Sequence, residues 1–198
     1  IGYDDTGRAR AGMGVDITSV VNDGVQSIAI GNFSREALSL YKQIGDVFVD
    51  AAGKSKLVQS TLRPLTFGLR FFDADLDGFQ DLVLANGHIE PEINTVQKEI
   101  FYFQAPQLFW NDHDGRMIDI SNEVGPIFQQ EMVARGLAVG DIDEDGDIDL
   151  IFTTNGGPVY VVVNESPVGN AIAVDLRTDG GNRRAIGAII EVVADELT

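Results

Sequence analysis

Residues 140–150 read GDIDEDGDIDL, with six acidic side chains between Asp141 and Asp149 and apolar stretches on either side. The chain as a whole carries 31 Asp plus Glu against 14 Lys plus Arg, a formal net charge of -17 over 198 residues. Concentrating like charge in one turn is costly unless something positive sits among the carboxylates. The same turn occurs twice. GLAVGDIDEDGDIDLIFTTNG (136–156) aligns with GLRFFDADLDGFQDLVLANG (68–87), with one extra residue in the former. A weaker copy upstream, GVDITSVVNDGVQSIAIGN (14–32), aligns when Asp23-Gly24 is matched to Asp77-Gly78 and Asp145-Gly146, so in chain order it is the first of three.

Each copy is an apolar run, a glycine-containing turn and a second run rich in β-branched and large apolar residues, the pattern of a β-hairpin. The first two are followed by another pair of short strand patterns, LSLYKQIGDVFVDAAG (38–53) and QLFWNDHDGRMIDISNEVG (107–125); after the third comes only PVYVVVNES. Four short strands per repeat predict an all-β chain, a partial β-propeller of about three four-stranded blades over residues 12–53, 66–121 and 134–165. Three blades cannot close a ring, so the open edges need covering, by the rest of a longer protein or by a homo-oligomer. The unequal repeat spacing comes from an insertion, HIEPEINTVQKEIFYFQAPQ, after Gly87. SREALSLYKQI (34–44) fits one or two helical turns or a strand after a loop.

Counted from its first Asp, each acidic turn has carboxylates at positions 1, 3, 5 and 9 and glycine at 6. These are Asp73, Asp75, Asp77, Asp81 and Gly78 in one copy, and Asp141, Asp143, Asp145, Asp149 and Gly146 in the other. Alternate side chains of a curled loop can converge, and the backbone carbonyl at position 7 (Phe79, Asp147) can add an oxygen, a donor set suited to Ca²⁺. Mg²⁺ is a poorer match, because it resists all-protein cages. An EF-hand needs a bidentate acid at position 12 and a following helix, whereas Leu84 and Phe152 stand there, each within a strand pattern. In the first copy the matching positions are Ser19, Val21, Asp23 and Ser27. That turn is expected to be free of metal.

The two DxDxDGxxD loops, the preceding GLRFFD and GLAVGD, and the LYKQIGDVFVDAA and LFWNDHDGRMIDIS hairpins resemble the FG-GAP or VCBS-type calcium repeats of integrin α-type propellers, over residues 12–164. GNRRAIGAIIEVV (181–193) and NGHIEPEI (86–93) resemble the ASPIC/UnbV, cartilage acidic protein-like branch. The resemblance makes residues 1–165 propeller blades and 166–198 the truncated start of a second β domain. It implies a secreted, periplasmic or cell-surface scaffold for adhesion or for binding a protein or carbohydrate, with two structural Ca²⁺ ions and no catalytic residues. The alternative is an accessory or rim-active part of a secreted hydrolase or lyase.

Other features narrow the field. The acidic balance argues against nucleic acid and anionic membranes as partners, and no apolar run approaches the roughly 18 residues of a membrane span. With no cysteine, thiolate chemistry and Cys-based zinc sites are excluded. The start, IGYDDTGRARAG, lacks an initiator Met and a signal-peptide pattern, as expected of a soluble piece of a longer protein. His88 with Glu90 and Glu92 could hold a second metal, although a structural loop is the plainer reading. His113, in a hairpin turn, is expected to be solvated. There is no GxSxG elbow for nucleophilic catalysis. Asn32 and Asn164 stand in glycosylation sequons.

Overall fold

The computed structural model describes residue 3, residues 7–166, residue 172 and residues 174–190. Its strands form three antiparallel sheets. The first joins β1 (Gly12–Thr18), β2 (Ser27–Asn32), β3 (Ser39–Ile44) and β4 (Val47–Asp50) in sequence order. A short helix, α1 (Leu57–Thr61), leads to the second sheet of β5 (Thr66–Phe72), β6 (Asp81–Asn86), β7 (Gln107–Asn111) and β8 (Met117–Asp119), with α2 (Ile93–Val96) in the insertion between β6 and β7. A 3₁₀ turn (Pro126–Gln129) precedes the third, β9 (Ala134–Gly140), β10 (Asp149–Thr154) and β11 (Tyr160–Val162).

The all-β expectation therefore holds, and residues 39–44 are strand rather than helix. The third sheet departs from the four-stranded pattern, having three strands among the described residues, because nothing described pairs with the outer edge of β11. Residues 174–190 form turns without a paired strand, and the remainder of the segment expected to open a second domain lies outside the described residues.

The first strands β1, β5 and β9 begin and end at equivalent positions of the repeat, and they stack in order, β1 on β5 and β5 on β9. Side chains alternate across a strand, so the middle sheet can serve two cores at once. Leu69, Phe71, Leu82, Leu84 and Phe109 face the first sheet, where they join Ala29, Leu38 and Leu40. Phe72, Val83, Ala85 and Leu108 face the third, where they meet Leu150 and Phe152. Every residue of β6 is consequently buried, which is why DLVLAN reads as an apolar run without alternation. Each fully buried side chain of this size contributes about 1.5–3 kcal/mol.

Two glycines set the spacing between sheets. A Cβ on Gly14 would lie 2.5 Å from the Phe67 carbonyl oxygen, and one on Gly68 would lie 2.9 Å from Leu137 Cβ, so each first strand rests on the backbone of the next. Gly14→Ala and Gly68→Ala are expected to destabilise the chain by about 1–3 kcal/mol each in urea unfolding, the usual cost of overpacking. Gly53→Ala, where nothing lies within 4 Å, should stay within about 0.5 kcal/mol.

Candidate metal centres

Both acidic turns bridge the first and second strands of a sheet, β5 to β6 and β9 to β10. The chain reverses through left-handed backbone at Leu76 (φ 54°) and Gly78 (φ 89°), and at the matching Glu144 (φ 65°) and Gly146 (φ 99°). Glycine reaches that region without a steric penalty, so position 6 permits the curl. The curl brings one carboxylate oxygen each from Asp73, Asp75 and Asp81 within 4.8 Å of one another, and likewise from Asp141, Asp143 and Asp149. These two clusters could each bind a metal ion.

The two clusters share one anchor. Asp81 opens β6 with its side chain buried, its Oδ2 accepting the Ala74 N–H at 3.0 Å and its Oδ1 the Asn111 N–H at 2.8 Å. Asp149 opens β10 in the same way, accepting from the Ile142 N–H at 2.7 Å and the Asn164 N–H at 2.8 Å. The two asparagines tie the anchors further into the fold. Asn111 Nδ2 donates to the Val20 and Gln80 carbonyls, and Asn164 Nδ2 donates to the Ala74 carbonyl in the neighbouring loop, at 2.8 Å. Position 1 holds the turn itself, for Asp73 accepts the Asp77 and Gly78 N–H groups, and Asp141 that of Gly146.

Position 5 behaves differently. Asp77 and Asp145 each accept the backbone N–H two residues on, at Phe79 and Asp147, and neither belongs to its three-carboxylate cluster. The other oxygen of Asp77 lies 2.6 Å from His113 Nε2, and the His113 ring stacks on Phe79 at 4.2 Å between centroids. His113 is exposed, as expected, and also has a defined place beside the first cluster. Asp75 accepts the Trp110 Nε1–H at 3.2 Å through one oxygen, while its other oxygen is buried without a partner. Asp147, expected to contribute its carbonyl, also buries its carboxylate, and that Oδ1 too has no partner.

Buried carboxylates crowded together resist ionisation. Desolvation is the largest cause at Asp81, outweighing its backbone hydrogen bonds and aided by Asp75 and Asp77; it raises the pKa from 3.8 to about 7. Desolvation likewise leads at Asp147, raised to about 6 with Asp145 contributing, and at Asp73 and Asp143, both shifted upward. The degenerate first turn shows the opposite. Asp23 pairs with Lys42 Nζ at 3.0 Å and accepts the Val25 N–H, and its pKa is lowered, chiefly by the Lys42 hydrogen bond. An ammonium group supplies the positive charge there.

The remaining expectations are settled by packing. His88 is buried with Nδ1 accepting the Glu90 N–H at 3.0 Å, and no group of three ligating side chains includes it among the described residues. Asn32 is buried and donates to the Ala37 carbonyl, a structural role for one sequon. A concavity of about 520 Å³ lies against the third sheet, where Phe72, Leu108, Phe128 and Leu150 make it mainly apolar. No described helix is long and apolar enough to cross a membrane. No family model matches the chain, and no curated protein matches it.

The raised carboxylates fix a pH dependence for the metal-free chain. Between about 4 and about 7 the native state keeps a proton on Asp81 that the unfolded chain releases near 3.8. Native protons then outnumber unfolded ones, so stability falls as pH rises through this window. His88, with a lowered pKa, opposes this only below about 6.5. Urea titrations in chelator should show the decline, levelling off once the pH passes about 7; stability climbing steadily to pH 7 would contradict it.

Proposed function

We propose that the chain is an arc of a β-propeller stabilised by two structural Ca²⁺ ions, serving as a rigid extracellular binding scaffold. The observation that carries the metal reading is the twice-built site. Two separate loops place three carboxylates within 4.8 Å around an anchor fixed by backbone N–H groups, at the cost of raised pKa values. A fold gains nothing from repeating that arrangement unless a cation offsets it. An oxygen-only donor set on a flexible loop suits Ca²⁺ over Mg²⁺ or softer metals.

In this reading Asp73, Asp75 and Asp81 hold one ion and Asp141, Asp143 and Asp149 the other. Asp77 and Asp145, with the carbonyls of Phe79 and Asp147, would supply the further oxygens that Ca²⁺ calls for. The propeller reading is supported by three sheets that stack face to face through equivalent first strands. Extracellular calcium modules bind at about 10⁻⁴ to 10⁻³ M, so the proposed sites suit a secreted, periplasmic or cell-surface protein. The stacked sheets would give a stiff surface for adhesion, or for a protein or carbohydrate ligand.

The test is calcium's effect on stability. Each site filled at a hundred times its Kd should add about 2.7 kcal/mol, so the melting temperature should rise with calcium and fall in EDTA. Calorimetry should count two sites in the parent chain and one in Asp143→Ala, whose exposed side chain leaves the buried anchor untouched. Melting indifferent to both calcium and chelator would sink the proposal.

A further inference from the structure

Among the described residues, the two outermost sheet faces are uncovered halves of the interface that already joins the sheets internally. In β5, Leu69 and Phe71 point back at the first sheet and are buried against it, at 2% and 7% exposure. Their counterparts in β1, Val15 and Ile17, point away from the second sheet and are 57% and 53% exposed, with Met13 beside them. Ile30 and Ile28, paired directly opposite, extend this apolar face across β2. At the far side of this face Tyr41, paired with Ile28, donates to the Tyr3 carbonyl at 3.4 Å.

The opposite end carries the complementary half. Gly14 and Gly68 each admit the backbone of the next first strand. Gly136 occupies the same register position in β9, but a Cβ there would meet only Thr153 of its own sheet. Around it lie Ala138, Ile151 and Val161, in direct cross-strand register. The middle-sheet equivalents of Ile151 and Val161, namely Val83 and Leu108, are buried at 0% and 6% under the third sheet, whereas Val161 is 57% exposed.

We infer that these faces bind one another between two copies of the chain, the β1 face of one copy seated on the Gly136 face of the next. The occupant is a second copy because it presents the partner this surface accepts inside the fold: a first strand with large apolar side chains flanking a glycine. The contact is head to tail, so two different patches meet. Two copies together present six sheets, within the range of about four to eight at which such rings close. The inference rests on the stacked-sheet part of the proposed function and is independent of the metal.

Sedimentation velocity of the whole chain in calcium buffer is expected to show twice the 21.4 kDa chain mass, or a higher multiple as concentration rises. Val15→Glu and Ala138→Glu, both at exposed positions, should each sediment as single chains with unchanged circular dichroism. Mixing the two variants should restore association, because each retains the face the other lacks. A parent chain at 21.4 kDa at every concentration, variants that still associate, or a mixture that stays monomeric would each overturn the inference. A monomer that binds two calcium ions would leave the metal reading standing, while association without calcium binding would do the reverse.

Discussion

A carboxylate buried at the start of a strand and gripped by two backbone N–H groups is the constraint on which each acidic hairpin depends. Asp81 and Asp149 satisfy donors that would otherwise be orphaned where loop and strand meet, one from their own turn and one from a strand or segment farther along. The anchor also fixes where the other carboxylates must lie, because the loop can close only around it. The same burial that makes the anchor structurally useful makes its charge expensive, and the cost is visible as the raised pKa of Asp81.

Comparison of the three turns shows how that cost is handled. The first turn has lost three of the four acidic positions and joins its remaining Asp23 to Lys42, a cation from the neighbouring strand. The other two keep their acids and have no lysine in that role. On the proposed reading, an ammonium group and a bound divalent ion would be alternative answers to the same electrostatic demand on one hairpin scaffold.

The repeat, the glycine turns and the strand pattern were legible in the sequence because periodicity and turn chemistry are local. DLVLAN and DLIFTT could be read as strands from composition alone, and six of the proposed ligands form the clusters their spacing suggested. The rest depended on contacts between distant segments. Nothing in the sequence marks Asn111, and Asn164 stands out only as part of a sequon, yet the two lock the anchors in place. Asp77 and Asp145 were expected beside their neighbours, yet each turns to the backbone N–H two residues on, and Asp77 also meets His113, delivered by the β7–β8 turn. The third sheet, whose sequence offers only PVYVVVNES after its hairpin, leaves β11 without an outer partner among the described residues, because strand pairing is decided by what is available in space.

If a cation takes the place of protons in these clusters, binding must release them. At pH 6 the Asp81 carboxyl of the metal-free chain, with its pKa raised to about 7, is largely protonated. Calcium should displace that proton. The direct measurement is calorimetric calcium titration at pH 6 in buffers of different ionisation enthalpy, from which proton exchange is obtained. The account predicts net proton release that diminishes toward pH 8. Calcium binding without proton release at pH 6, or no binding at all, would contradict it.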